Sequence, residues 1–535
     1  MITVTDYHQR TKHGLQGYAA APEALDWNDQ PNPFRRFEGS PIFNLSKPGK
    51  QLAVTWSDLE QPSRQASELN PENLSLLLEL AFGLSAWKQY GPNRWALRNN
   101  PSSGNLHPTE AYLVNGVAAL VPQGVYHYVS SEHQLEQRCQ FANKALDDSL
   151  LIGLSSIHWR EAWKYGERAF RYCQLDIGHA LAALSYAATT LGWRIELLSA
   201  YSDADIACIL GLQDKDQFVA KEMETADLIC RIHYTENSIN PLDADSERDE
   251  LLQSIQQTTW QGRAQSLGAY HVYHWPVIDE VSQQAVKKDR ITSHWQSDKI
   301  PLIKSACDLP ATQLIRQRRS AQQFNARSEP ISQQKFFRIL AALFPADKSP
   351  FDAWNWAPAV HLCLFIHKVE GLQPGLYCLP RSENGVELLK QQLTADFKWQ
   401  PVAEFPQLYL LQEGDARKPA KTLSCHQTIA SDSAFSLAML TEFKDQLSDQ
   451  PWHYRRLFWE CGLIGQVLYL EAESAELRGT GIGCFFDDNV HDLLGLKDNT
   501  LQSLYHFTVG EPLEDARIQS FPAYGHLGGS VSSAG

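Results

Sequence analysis

The sequence predicts an α+β protein made of two tandem copies of one α/β sandwich domain, packed on each other as an intrachain pseudo-dimer. Three observations predict it. Helical apolar periodicity alternates with short runs of β-formers in both halves. The Gly-led run Gly124-Val125-Tyr126-His127-Tyr128 has a parallel in Gly375-Leu376-Tyr377-Cys378-Leu379. Gly178 and Gly465 lie 287 residues apart, and the same offset carries Arg168 onto Arg455 and Gly192 onto Gly479. A period this long marks a duplicated domain rather than a solenoid, and two like domains in one chain pack as a homodimer does, about a pseudo-two-fold axis.

Composition narrows the function. The 535 residues, 43% hydrophobic and 20% charged, suffice for two or three packed cores. A net charge of -15 leaves no basic surplus to neutralise a nucleic acid, although local basic clusters can still hold one phosphate. No stretch nears the roughly 18 apolar residues of a membrane span, and the first 20 residues are not signal-like. The expectation is a cytoplasmic protein with neither nucleic-acid nor membrane partner. The ten cysteines include no C-x-x-C pair, which predicts mostly buried thiols and neither a metal site nor a disulfide framework.

Taken in order, residues 1–65 read as an extended N-terminal arm, rich in proline, whose aromatics Trp27, Phe34, Phe37 and Phe43 dock on another surface. Its His8, Arg10, Lys12 and His13 read as a solvated terminal segment, since nothing nearby supplies carboxylate or thiol ligands at metal spacing. The first domain, 66–235, opens with a helix: Pro71 at the first turn, then Leu74, Leu77, Leu78, Ala81 and Phe82 at helical spacing. Strands follow at Ala111 to Val114 and Gly124 to Tyr128. A long buried helix is expected from Lys164 to Gly192, then a final strand at Asp227 to Ile232. Residues 236–305 are polar and read as a partly helical linker. The second domain, 306–520, begins with a helical unit at Ile315 to Ser320 and has a strand at Val360 to Ile366, and 521–535 reads as a flexible tail.

One loop stands out: Asn99-Asn100-Pro101-Ser102-Ser103-Gly104-Asn105-Leu106-His107-Pro108. Two prolines, a glycine, two hydroxyls and several amides are turn chemistry, and they crowd polar donors into a space that suits a flat polar ligand.

With these pieces in place, the chain resembles the nitroreductase superfamily of FMN-dependent oxidoreductases, in particular the SagB and McbC azoline dehydrogenases and the cyanobactin oxidases. The resemblance covers roughly residues 70–232 and 310–518. Pro101-Ser102-Ser103-Gly104-Asn105 resembles the family's flavin-contacting loop. Arg318-Arg319-Ser320 resembles its phosphate-binding Arg-Arg-Ser, and Gly481-Ile482-Gly483 resembles its Gly-x-Gly turn beside the flavin. Lys164-Tyr165 matches the Lys-Tyr element of the azoline dehydrogenases. The chemistry agrees: a phosphate dianion needs fixed cations, for which a fork-shaped guanidinium is suited, with Arg517 a further candidate. Glycines at 481 and 483 would let backbone approach a flat ring.

The resemblance implies FMN as cofactor, a small-molecule or peptide-derived substrate, and Lys164 or Tyr165 as the group that takes a proton while the flavin takes the hydride. Tyr172, His179, His107 and Glu110 are lesser candidates. Two alternatives stay open: an NAD(P)H-dependent flavin reductase or nitroreductase of broad specificity, and a non-catalytic flavin-binding scaffold. A homodimer of such pseudo-dimers also stays open.

The duplication has decayed in a complementary way. The first half keeps the Ser-Ser-Gly-Asn loop but has only Arg64-Gln65-Ala66 in place of Arg-Arg-Ser, and Gly192-Trp193-Arg194 in place of Gly-x-Gly. The second half has the reverse set, with Trp354-Asn355-Trp356-Ala357-Pro358 where the loop should be. The resemblance therefore implies one composite FMN site per chain, and a mirror site left empty or filled by Trp354 and Trp356.

Overall fold

The structure is a computed structural model that describes residues 2–61, 64–142, 146, 148–235, 244–290, 292–293, 295, 303–448 and 450–527. Two seven-stranded sheets carry the fold, antiparallel throughout. The first runs Ile42–Asn44, Gln134–Gln140, Gly124–Val129, Thr109–Asn115, Leu150–Ser156, Thr225–His233, Arg194–Leu197. The second runs Gln400–Val402, Phe405–Glu413, Gly375–Leu379, Val360–Ile366, Phe435–Glu442, Leu501–Gly510, Arg478–Ile482. The orders correspond position by position, with one difference: the outer strand beside Gln134–Gln140 is lent by the arm, whereas its counterpart comes from the second domain's own hairpin.

The pseudo-dimer axis can be located from the duplication itself. The helices Ala169–Thr190 and His453–Ser474 cross at glycines: a Cβ on Gly178 would strike the Trp459 carbonyl, and one on Gly462 the Leu175 carbonyl. Leu175 and Gly462 are 287 residues apart, as are His179 and Gln466, whose side chains meet at 3.4 Å. Equivalent residues face each other only on a two-fold axis, so the axis passes between these helices. One apolar cluster runs across it, from Leu77 and Leu113 through Ile177 and Ile464 to Phe507. Burying both helices on several sides explains why their apolar residues do not keep to one stripe.

Four expectations need adjustment. The long helix is interrupted: His158–Tyr165 and Ala169–Thr190 are separated at Gly166, whose φ of 55° and close contact with the Ala20 carbonyl let the arm cross there. The start of the arm is docked rather than solvated. Val4–Arg10 is helical, His8 and His13 are buried, and His8 bonds Tyr454 and Gln502 of the second domain. Among the described residues of the polar segment, Ala244–Gln256 and Pro276–Gln284 are helical and belong to the core rather than to a linker, since Leu251 and Ile255 join one apolar cluster and Val277, Ile278 and Val281 another. The expected tail is folded as far as Leu527. Gln519–Phe521 pairs with Leu84–Tyr90 of the first domain, and the Tyr524 hydroxyl accepts the Leu84 N–H at 2.8 Å. Residues 528–535 lie outside the described residues. Each end of the chain thus reaches over the opposite domain, which draws second-domain groups toward the first domain's loop.

Candidate functional site

The Pro101–Pro108 loop owes its shape to three left-handed residues, Gly104 (φ 60°), Asn105 (φ 59°) and His107 (φ 51°). Non-glycine residues there need local hydrogen bonds to hold them. Ser102 Oγ accepts the His107 N–H at 2.8 Å, Asn105 Nδ2 donates to the Ala96 carbonyl at 2.9 Å, and Asn105 Oδ1 meets His107 Nε2 at 3.0 Å. Burial, then Arg98 and Arg160, holds the His107 imidazole well below its usual pKa and so neutral. The loop opens a strand, Thr109–Asn115, that is buried along its length.

A cavity of about 270 Å³ lies against this loop and is lined by both domains. The first domain supplies Pro101, Ser102, Asn105 and Arg98; the second supplies Arg318, Arg319, Ser320 and Arg478. The Arg-Arg-Ser motif leaves the end of the Ala311–Gln317 helix rather than starting one. Ser320 bridges Gly479, and its hydroxyl donates to the Tyr469 hydroxyl at 2.9 Å. Arg318 is buried. Its Nη2 donates to the Arg98 carbonyl at 3.0 Å, which ties the two domains together at the cavity, while its Nε and Nη1 meet no hydrogen-bond partner. Arg319 uses both terminal nitrogens on the Arg316, Arg318 and Ser85 carbonyls. Burial, then the charges of Arg318 and Arg478, pulls its pKa down to about 10. Glu514 pairs with Arg478 at the rim, but Arg318 and Arg319 remain close like charges and the unspent buried donors of Arg318 are costly. An anion placed among them relieves both costs.

Lys164 and Tyr165 lie directly beneath the loop. A Cβ built on Gly104 would stand 2.6 Å from the Tyr165 hydroxyl and 3.1 Å from Lys164 Nζ, and the φ of 60° at this position favours glycine. Burial and the neighbouring Glu161 push the Tyr165 phenol well above its usual pKa. It therefore stays protonated, a donor rather than the base that the Lys-Tyr reading allowed.

Two carboxyl groups that the sequence reading missed complete this end of the site. Asp176 Oδ1 accepts the Ser103 N–H at 3.2 Å and its hydroxyl at 3.4 Å, while Oδ2 has no partner. Burial raises the pKa of Asp176; burial, then the Asp176 charge, raises that of Glu161. The signal was present: Asp176 interrupts an otherwise apolar run in Leu175-Asp176-Ile177. Arg98, Lys88 and Arg478 were missed as well, because each lies in a strand whose reach toward the cavity is set by tertiary structure alone.

Other expected residues are placed differently. Gly481 and Gly483 admit flat rings, but the rings are tyrosines: a Cβ on Gly481 would overlap the Tyr505 hydroxyl, and one on Gly483 the Tyr172 ring. The Gly481 N–H donates to the Tyr469 hydroxyl at 3.0 Å. Ile482 is buried in the second domain's core. Arg517 does not join the cavity, since its guanidinium is largely exposed and held by Asp515 at 2.7 Å. Glu110 is structural, bound to Arg160 and His127, and His179 is neutralised by burial.

The mirror face is built from different contacts. Arg64 occupies the place of Arg318, its neighbours Gln65 and Ala66 lying against Gly192 as Ser320 lies against Gly479. Its guanidinium donates to the Thr189 and Thr190 carbonyls at the end of the long helix. Trp354 is buried, stands 4.9 Å from Trp356, and Trp356 lies 5.9 Å from Trp452. Asn355 Nδ2 donates to the Leu197 carbonyl at 2.7 Å.

The Nitroreductase family profile matches residues 65–221 and 315–511, one match in each domain. A candidate nitroreductase of Methanocaldococcus jannaschii is 26% identical over 161 residues, which are 28% of this chain and 78% of that protein. The crystal structure of a candidate nitroreductase from Anabaena variabilis covers 96% of this chain with 100% of its own, at 21% identity and a TM-score of 0.68, so the whole two-domain fold recurs there. The Escherichia coli microcin synthetase McbBCD complex matches 36% of this chain and 78% of its own at 18% identity, with a TM-score of 0.28. That last likeness is too slight to bear on the branch.

Proposed function

The chain belongs to the nitroreductase family and is an oxidoreductase of that superfamily, and from that premise we propose that it binds one FMN in the composite cavity and dehydrogenates an azoline-like or other peptide-derived substrate. The observation that carries the reading is Arg318, a buried second-domain guanidinium with two unpartnered nitrogens, in one cavity with Ser102 and Asn105 of the first domain. A phosphate fits that donor set, because it supplies the missing acceptors and offsets the crowded positive charge. Arg318 and Arg319 would hold the phosphate, with Ser102 and Asn105 beside the rest of the cofactor. FMN, when bound, supplies the hydride-accepting chemistry.

The chain's own residues supply position and proton transfer. Lys164 Nζ sits under Gly104 at the loop and is the group assigned to take the substrate proton. The Tyr165 hydroxyl, held protonated, orients the substrate by donating a hydrogen bond. Glu161 lies beside the amine and Asp176 beside Glu161; burial raises both pKa values, so the pair holds protons next to Lys164 rather than taking one from it.

The test is a flavin absorbance spectrum followed by two reductions without oxygen. The account expects about one FMN per chain, bleached by a thiazoline- or oxazoline-containing peptide and inert to NADPH. Rapid bleaching by NADPH alone replaces the dehydrogenase reading with a broad reductase, and protein that takes up no FMN leaves only a scaffold. Lys164→Ala should keep the flavin and lose peptide-driven bleaching; unchanged bleaching removes Lys164 from the mechanism.

A further inference from the structure

The turn after Gly483 carries a second chemistry, separate from the cation-lined cavity. The Cys484 side chain lies beside Cys425 and the His13 imidazole of the arm, and the two cysteine-bearing turns are joined by the Gln427 amide, which donates to the Cys484 carbonyl at 3.2 Å. His13 Nδ1 accepts the Ala19 N–H at 2.9 Å, so in the neutral ring Nε2 carries the hydrogen and is the atom left for the sulfur. Arg168 donates to the Gly483 carbonyl at 3.3 Å and lies 4.9 Å from the Phe485 ring, which brings a fixed positive charge beside Cys484. Asp487, the nearest carboxylate, is spent on Arg168 and Arg171. Tyr172, Tyr165, Tyr18 and Asp487 are the other titratable groups that face the two thiols.

Geometry and access both favour reaction. Cys425 and His426 hold φ values of 52° and 60°, an uncommon pair of consecutive left-handed residues in the turn that presents Cys425 to Cys484. Six of the ten cysteines are buried, whereas Cys425 and Cys484 are half-buried. The contact with Cys425, then His13 and Arg168, outweighs burial and holds Cys484 below the ordinary thiol range; the same contact holds Cys425 above it. One thiol is thus set to be a nucleophile and its neighbour to remain a thiol, the division of labour of reactive cysteine pairs.

We propose that Cys484 and Cys425 form a hydroperoxide-reactive dithiol, with Cys484 as the attacking sulfur and Cys425 as the resolving one. The Cys484 thiolate attacks one peroxide oxygen; an S–O bond forms, the O–O bond breaks, and the departing oxygen takes a proton from solvent and leaves as water or an alcohol. The Cys425 sulfur then attacks Cys484, an S–S bond forms, and the hydroxyl leaves with the Cys425 proton as water. Two thiols lose two electrons and the O–O bond gains them. The disulfide ties the turn at Gly483, which touches Tyr172 of the first domain, to the segment after the Arg417–Leu423 helix.

The full-length protein is treated with one equivalent of hydrogen peroxide, alkylated under denaturing conditions and mapped by peptide mass spectrometry. The expected product is a peptide pair joined through Cys425 and Cys484, and in Cys425→Ser a dimedone-trapped sulfenic acid at Cys484. His13→Ala should slow the peroxide reaction at pH 6.5 at least tenfold and leave it nearly unchanged at pH 9.5. Wild-type protein in which both thiols remain alkylatable overturns the proposal, as does dimedone found on Cys425 in Cys484→Ser at the rate expected for Cys484. The wild-type experiment needs no substitution, so it decides the matter even where a variant fails to fold.

Discussion

The two faces of the pseudo-dimer started as the same site and now differ in what their polar groups do. On one face Arg318 leaves Nε and Nη1 unpartnered in a cavity; on the other, Arg64 gives its guanidinium to the Thr189 and Thr190 carbonyls. The 287 offset sets Pro451 and Trp452 against Lys164 and Tyr165, and Leu463 against Asp176. Arg194 and Glu196 stand against Gly481 and Gly483 in the same way. At these positions the polar groups of the composite face have apolar or internally bonded counterparts on the mirror face. A duplicated fold free of the need for two sites can convert one of them into core, and the retained strain then marks the site that is still used.

Substitutions that erase this contrast should rank by how much unspent polarity they remove. Arg318→Ala deletes the buried fork and should weaken FMN binding about 100-fold, read by fluorescence titration, since charged hydrogen bonds contribute about 1.5–3 kcal/mol each. Riboflavin, which lacks the phosphate, should bind wild type and variant with similar affinity. An equal loss for both ligands would mean that Arg318 supports the loop rather than the phosphate.

Asn105→Ala, in the other domain, should weaken FMN binding about tenfold. It removes the hydrogen bonds to Ala96 and His107 and leaves an alanine at a φ of 59°, a strain of order 1 kcal/mol. On the mirror face, Arg64→Ala and Trp354→Phe should leave FMN affinity unchanged while lowering thermal stability by about 1–2 kcal/mol, from a lost helix-end contact and a partly emptied core position. Flavin loss in either variant would show that the mirror site is occupied.

The smallest effect is a pH dependence. Asp176 and Glu161 have pKa values raised by burial, so the folded state holds protons that the unfolded chain releases near pH 4. Their contribution is fully present below that pH and is lost as pH rises through the raised folded values. Asp176→Asn should therefore flatten the fall in stability between pH 5 and 8, gaining on the order of 1 kcal/mol at pH 8 and little at pH 5. Parallel wild-type and variant profiles would contradict the shared-proton picture.

The duplication, the strands at Thr109–Asn115, Gly124–Val129 and Val360–Ile366, and the partnership of the Ser-Ser loop with Arg-Arg-Ser were legible because periodicity and motif spacing are local properties that repeat. Less was legible where the tertiary path decides. Nothing local says that the arm crosses at Gly166, that residues 519–521 return to the first domain, or that Arg517 turns to Asp515 instead of the cavity. The glycines at 481 and 483 were read as contacts to a flavin ring, whereas the rings against them are Tyr505 and Tyr172, brought there by a strand and a helix far away in sequence. Asp176 was visible as an acid in an apolar run, and only burial turns it into a proton-holding group.

The most direct test of the account is the number of FMN molecules bound per chain at saturation, from flavin absorbance against protein concentration, in wild type and in Arg318→Ala. The account predicts one in wild type and, in the variant, occupancy far below one at FMN concentrations that only just saturate wild type. Two per chain in wild type, or one retained at that concentration in the variant, would contradict the claim that a single site is built from both domains.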